Sequence, residues 1–592
     1  MSRTAAPFRI KTLAAAAAAL LLGAPCAFTA LAQSAPPLDQ PLPLAGPRPD
    51  PATIQAWQDR KFGMFIHFGL FSIAGGMWQG KVVDNGYSEQ IFANGNLPAD
   101  DYAALAGQFN PTHFDADAIA GLAQAAGMKF IVLTAKHHDG FNLFKTGQTT
   151  YNAVDGTPYG KDIVKALSEA CARHGLAFGV YYSTIDWHHP GGNTYLPGNS
   201  NPITDAQAAF NVPQLKELLG NYGPISEIWF DMGQPTAAQS ELFARTVHDL
   251  QPQTMVSGRV WNYQGDFTVM GDNDEPGVAV EEPWQSPASM FPDTWGYRSW
   301  QVRDNLQGKI EEQIGRLVRV VSHGGNYILN IGPEGDGSVV PYEADVLKGI
   351  GAWMQVNGQA IYATRPQPFD PLDFGYATLG DHTLYLAVDK LPADGVLRLP
   401  GLVDTRLVSA QVLGGDGTAL PVSVDAAGGR IDAKGAASLL ASRYMPVIAV
   451  GFEGDVHVRP DAIAVKGDGR VELDAKQAAH YLNYNGYSYA APSTLYKLRW
   501  YAALGAGRYR AVLHYPPSLK PGRVDLVVDG HRTTLTLPRH GRAVVTIARD
   551  LTTQPYGMQI EVTPVEPFHK GDVLPVNVTR IDLAPVEAAT GP

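Results

Sequence analysis

Asp231 closes an apolar run, Glu227-Ile228-Trp229-Phe230-Asp231-Met232. A carboxylate at such a place is costly to desolvate unless something uses it. A short apolar run of this kind fits a strand buried on both faces of a parallel sheet. In a (β/α) barrel the C-terminal strand ends carry the chemistry. Four other runs also stop on hydrogen-bonding side chains. Lys61 to Gly69 holds His67 near its end, and Phe130 to Phe141 leads into His137 and His138. Ala177 to Ser183 ends in Tyr181 and Tyr182, and Thr254 to Arg259 ends on Arg259. Any one acid of this kind could simply cap a turn. Five polar termini in succession describe a ring of strands feeding one pocket.

Carboxylate chemistry suits these residues best. Retaining glycoside hydrolysis uses two carboxyl groups about 5–5.5 Å apart, one a nucleophile and the other an acid, then a base. Asp231 fits the nucleophile by position. Glu281 and Glu282, in Val278-Ala279-Val280-Glu281-Glu282-Pro283-Trp284-Gln285, offer the second group. A neighbouring carboxylate or the apolar wall of Trp284 can raise an acid's pKa. Metal chemistry fits poorly. His137–His138 and His188–His189 are adjacent pairs, which point to opposite faces of a strand, and no His-Glu-x-x-His is present. No dinucleotide fingerprint or phosphate loop appears, so neither metal nor cofactor is expected. His, Tyr, Trp and Arg around a carboxylate suit a pocket that holds sugar hydroxyls and stacks on a ring face.

The elements that must position these residues can be read from the same chain. From about residue 52 to 365, strand-like runs alternate with helical ones, which implies a parallel sheet and, at this length, a closed α/β barrel. Helices are expected at 115–127, 162–175, 212–222, 240–250, 311–323 and 343–357, with Asp162 as an N-cap and Gly175 as a stop. Strands are also expected at 326–331 and 360–364. Beyond Arg365 the helical period fades. Short alternating runs predict one β-sandwich over 366–454 and a second over 455–592, either carbohydrate-binding or a structural appendage, with a hairpin turning at Asp529-Gly530.

The 592 residues exceed one ordinary domain, and 45% apolar residues are normal for a globular chain. A formal charge of −12 argues against nucleic acid and anionic lipid as partners. Residues 1–32 read as a bacterial export signal, with Arg3, Arg9 and Lys11, an apolar run from Leu13 to Leu22 and an Ala30-Leu31-Ala32 cleavage site. A Pro-rich stretch follows over 33–51. The expected location is periplasmic or secreted, with no membrane span. Cys26 leaves with the signal, so Cys171 remains alone and no intrachain disulfide can form.

Five motifs carry a resemblance: Lys61 to Gly69, Leu133 to Phe141, Phe178 to Ser183, Ile228 to Asp231, and Thr294-Trp295-Gly296-Tyr297-Arg298. In this order they are similar to the α-L-fucosidases of glycoside hydrolase family 29, over about residues 50–365. The resemblance implies an irregular (β/α) barrel with a β-sandwich behind it, and a retaining mechanism without metal or cofactor. It makes Asp231 the nucleophile. His67, His137, His138, Tyr182, Trp229 and Arg259 match pocket residues, Glu89 matches a pocket Glu, and Met232 lies near the C5 methyl of fucose. Trp295 enters through its motif. Two departures accompany the match. Gln90 stands where the family often has Trp, so stacking falls to a residue such as Trp78. Gln285 stands where many members carry the acid/base Glu after a Trp, which passes that role to Glu282 or Glu281. The expected activity is an exported exo-α-L-fucosidase acting on fucosylated oligosaccharides or glycoconjugates. A non-catalytic fucose-binding barrel and an α-L-galactosidase are the alternatives.

Overall fold

A computed structural model describes residues 48–189, 201–262, 264–277, 279–280, 283–482, 496–516, 522–539, 541–549, 557–565 and 578–586. Its centre is a sheet of eight strands: β1 (Phe62–Ile66), β2 (Phe130–Lys136), β3 (Ala177–Ser183), β4 (Glu227–Asp231), β5 (Met255–Val256), β6 (Thr268–Val269), β7 (Trp284–Ser289) and β8 (Asn326–Ile331). The spatial order is β5-β4-β3-β2-β1-β8-β7-β6, with every neighbouring pair parallel. A parallel bridge between Ser257 and Phe267 joins the two ends and closes the barrel.

Alternation along the strands sorts side chains into two cores. Phe65, Val132, Tyr181, Trp229, Val269 and Ile328 fill the barrel interior with Trp57, Phe267 and Trp295. Their neighbours, among them Met64, Leu133, Val180, Tyr182, Phe230 and Leu329, face outward into a larger cluster beneath the helices. A bulge between Thr134 and Lys136 interrupts the alternation at the end of β2.

The helices begin where the capping residues place them. Asp115 accepts from the Ala118 N–H to start α2 (Ala116–Ala125), which follows α1 (Pro51–Asp59). Asp162 accepts from Lys165 to start α3 (Ile163–His174), and Gly175, at φ 68°, ends it. Helix α4 (Asp205–Asn221) starts earlier than the expected residue 212, because Thr204 caps it and the helix runs on through Pro213. A Thr236–Gln239 capping box opens α5 (Ala237–Leu250). Helices α6 (Leu306–Ser322) and α7 (Pro341–Asn357) complete the outer layer. The strand expected at 360–364 is instead the end of a 3₁₀ helix and a hydrogen-bonded turn. The N–H groups of Ile361 and Tyr362 return to the Gly358 carbonyl, and that of Ala363 reaches the Asp59 carbonyl.

Two antiparallel assemblies follow. In the first, the sheet holding Thr383–Val388 and Val447–Glu453 faces the strands Val396–Pro400 and Gly428–Asp432 around Leu384, Leu397, Leu399 and Ile448. The second pairs a four-stranded with a five-stranded sheet around Trp500, Leu513, Leu526 and Ile581. Its hairpin, Gly522–Val528 with His531–Leu537, turns at Asp529 and Gly530 with φ 44° and 84°, the positive pair of a type I′ turn. Among the described residues, no helix is long and apolar enough to cross a membrane.

Candidate active site

Asp231 is the last residue of β4 and points inward by the same alternation that buries Trp229. Its Oδ2 accepts from the Tyr181 hydroxyl at 2.8 Å and its Oδ1 from Arg259 Nη1 at 2.9 Å. Met232 takes a left-handed φ of 61°, so the chain turns as soon as the carboxylate is placed, and Met232 joins the cavity wall. Arg259 sits in the 3₁₀ turn after β5, with Trp229 under its guanidinium at 4.8 Å. Its second nitrogen donates to Asp272 Oδ1 at 2.7 Å and to the Met270 carbonyl at 3.3 Å. Burial works to lower the guanidinium pKa, but Asp272 and Asp231 outweigh it and raise it. One buried cation thus holds two carboxylates on the wall of one cavity.

The opposite wall is made of neutral imidazoles. His67 Nδ1 lies 2.6 Å from Asn330 Oδ1, and His138 Nδ1 lies 2.8 Å from Ser183 Oγ. His137 stacks on Tyr181 with ring centroids 5.6 Å apart. Burial lowers the His67 pKa to about 4, against the Asn330 bond and the Asp231 charge. It holds His137 and His138 well below the ordinary value, helped at His137 by His138 and His67 against the Asp231 charge, and at His138 by His67, Lys136 and Arg259. Glu89, in the turn Ser88–Gln90, closes the cavity. Its Oε2 accepts from the Trp295 and Gly296 N–H groups at 3.0 and 2.9 Å. Burial pushes its pKa up to about 7 despite those two donors. Tyr87, Gln90 and Trp295 complete the rim, and the space including the open mouth is about 600 Å³. Among the described residues no group of His, Cys, Asp or Glu could hold a metal ion.

The family model of the α-L-fucosidases matches residues 48–359, more than half of the chain. The protein belongs to the α-L-fucosidase family. It is therefore a glycoside hydrolase. The tissue α-L-fucosidase of Mus musculus is 33% identical over 395 residues, covering 62% of this chain and 85% of that protein. The plasma α-L-fucosidase of Homo sapiens is 34% identical over 342 residues, covering 53% and 70%. Among solved structures, an α-L-fucosidase from Vibrio sp. strain EJY3 superposes with a TM-score of 0.65 at 26% identity, covering 91% of this chain and 99% of that one. A family 29 enzyme from Bacteroides thetaiotaomicron, trapped as a covalent intermediate, has a TM-score of 0.62 at 26% identity, covering 69% and 98%.

In this fucosidase, nine of the residues singled out from sequence line the cavity: His67, Glu89, His137, His138, Trp229, Asp231, Met232, Arg259 and Trp295. Three others lie elsewhere. Tyr182 faces outward, where its hydroxyl bonds Asn211 and Gln214 and Lys136 sits over its ring; Tyr181, one residue earlier, holds the inward place. Trp78 lies in a short hairpin, Met77–Trp78 with Lys81–Val82, and packs against the outer cluster. Trp284 begins β7 and is fully buried, at the end of the barrel away from Asp231. Glu281 and Glu282 lie outside the described residues.

Gln285 belongs to that far end too. Its Oε1 accepts from Trp229 Nε1 at 2.7 Å and its Nε2 donates to Glu227 Oε1 at 3.1 Å. The Gln there therefore removes no acid from the cavity. The sequence reading missed Asp272 and Tyr181. Asp272 follows a strand of only two residues, too short to register as an apolar run. Tyr181 takes the inward place because it pairs in register with the inward Trp229, a relation between two strands that neither run shows alone.

Proposed function

We propose that this fucosidase is a retaining, exo-acting enzyme in which Asp231 is the nucleophile and Asp272 the acid/base. The sharing of Arg259 by the two carboxylates carries the reading. Each lies within hydrogen-bond distance of one guanidinium nitrogen, which is compatible with the separation of about 5–5.5 Å that retention requires. In the first step an Asp231 oxygen bonds to the anomeric carbon as the bond to the leaving oxygen breaks. Asp272 gives that oxygen its proton. In the second step water loses a proton to Asp272, attacks the anomeric carbon and releases Asp231 as carboxylate and the sugar as L-fucose. The trapped covalent intermediate of the Bacteroides thetaiotaomicron relative supports a two-step course.

Glu89 is assigned to the sugar rather than to proton transfer. One of its oxygens is already tied to two main-chain N–H groups. The cavity sits at the strand ends with its polar side chains converging on Asp231, which favours a terminal fucosyl residue of an oligosaccharide or glycoconjugate. Export follows the signal pattern of residues 1–32 and places the enzyme in the periplasm or outside the cell.

Removal of the acid/base tests the assignment. Asp272→Ala should damage natural fucosides far more than a nitrophenyl fucoside, because a good leaving group departs unprotonated. Azide should restore turnover on the nitrophenyl substrate and yield α-L-fucosyl azide. Azide rescue of Glu282→Ala or Glu281→Ala, with none for Asp272→Ala, would return the role to the glutamate rescued.

A further inference from the structure

We infer that Asn330 and Ser183 are positioning residues that fix the tautomers of His67 and His138, so that both rings present a bare Nε2 to the sugar and accept hydrogen bonds from its hydroxyl groups. Two main-chain carbonyls, which can only accept, set the direction of both chains of bonds. Asn330 Nδ2 lies 2.6 Å from the Trp295 carbonyl, so the amide nitrogen must face that way. The amide oxygen then faces His67 Nδ1 at 2.6 Å. An amide oxygen has no proton to give, so Nδ1 must carry one. A neutral ring with a proton on Nδ1 has none on Nε2.

His138 obeys the same logic through a hydroxyl. Ser183 Oγ donates its one proton to the Ile185 carbonyl at 3.0 Å. Toward His138 Nδ1, at 2.8 Å, it can then only accept, so Nδ1 is again the protonated nitrogen. Tyr181 approaches His138 Nε2 at 3.5 Å, but its proton goes to Asp231 at 2.8 Å. Nε2 of His138 is left for a substrate donor. His137 differs: its buried Nδ1 has no partner among the described residues, and nothing sets its tautomer. Burial keeps all three rings neutral, so none offers donors on both nitrogens.

The consequence is a rule of selectivity. Two hydroxyls of the bound sugar are read as donors, which a methyl ether or a fluorine cannot imitate. The inference rests on the fucoside reading only for the identity of the sugar, because the tautomers can be observed without any substrate.

Long-range ¹H–¹⁵N spectra of histidine-labelled enzyme, assigned with single variants, give the direct test. His67 and His138 should both show a protonated Nδ1. An Nε2–H form at either ring overturns the inference for that ring, whatever the enzyme hydrolyses. Asn330→Leu and Ser183→Ala should move His67 and His138, respectively, toward the Nε2–H form. Each should also lower kcat/KM on an aryl fucoside about ten- to a hundredfold. Asn330→Asp, which keeps an acceptor, should restore the Nδ1–H signal. Loss of activity with unchanged tautomers would show a merely structural role. In competition assays, deoxyfluoro sugars should bind no better than deoxy sugars at two ring positions. Better binding by fluorine at every position would also overturn the inference.

Discussion

Glu227 and Asp231 begin and end the same strand, and both point into the barrel. Each accepts two hydrogen bonds from side chains, Glu227 from Trp57 and Gln285, Asp231 from Tyr181 and Arg259. Glu227 is completely enclosed, whereas the Asp231 side chain keeps 14% of its surface open. What separates the two carboxylates is the room their partners leave, not the number of those partners. Cavity size is no guide either. A cleft of about 1370 Å³, measured like the 600 Å³ beside Asp231, lies at the Glu227 end between α1 and the starts of β3 and β5. Glu169 is the one acid among its lining residues, so it offers no carboxylate pair.

The sharpest break of this comparison is a pair of isosteric changes. Asp231→Asn should lower kcat on an aryl fucoside at least about a thousandfold, because an amide cannot attack the anomeric carbon. Its melting temperature should stay near that of the wild type. Glu227→Gln should do the reverse. It should keep activity within a few-fold but lose about 1–3 kcal/mol of stability, since one of two enclosed acceptors becomes a donor. Denaturation alongside steady-state kinetics reads both, and an inactive but stable Glu227→Gln would erase the distinction.

Arg259→Lys comes next. A single ammonium cannot hold two carboxylates in fork geometry, so kcat/KM should fall about a hundredfold while folding persists.

Glu89 gives a smaller effect that depends on pH. Its folded pKa, about 7, lies above the ordinary value of 4.5, so the folded state binds the extra proton. The stability tied to that proton is present below about 4.5 and is lost as pH rises through about 7. Glu89→Gln, which cannot ionise, should therefore match the wild type near pH 4.5. Above pH 7.5 it should melt at a higher temperature. A difference that shrinks as pH rises would refute the sign. The least effect on rate is expected from Gln285→Glu. It introduces the glutamate that the resemblance led one to expect here, and it sets a second carboxylate against Glu227. Activity should stay within about twofold and stability should fall. A large gain in activity would mean that position 285 reaches the sugar after all.

The barrel was legible in the sequence because its long strands, β1 to β4 and β8, are apolar on both faces and its helices carry their own caps. Strand β5 has only two residues but was read within the run Thr254 to Arg259, whereas β6, equally short, gave no run of its own, and Asp272 was hidden behind it. The choice between Tyr181 and Tyr182 needed register. Pairing of Tyr181 with Trp229 and of Ser183 with Asp231 fixes which tyrosine faces the cavity, and registers are set by packing between distant segments. Trp284 was singled out as a wall for the neighbouring glutamates and Gln285 through the resemblance, and neither signal showed that β7 begins at Trp284, at the end away from Asp231. Glu89 sits in a 3₁₀ turn with no periodicity of its own, and only the resemblance reached it.

The two sandwiches differ in how they keep their apolar side chains. The first lends Ala387, Leu413, Met445 and Val447 to the cluster that also holds the barrel's helices. The second keeps Trp500, Leu526 and Ile581 in a cluster of its own. A lineage could thus acquire, exchange or discard the terminal unit by recombination without repacking the catalytic body. The middle sandwich has no such freedom: the face it turns to the barrel and the barrel itself must drift together, each substitution in one constraining what the other tolerates.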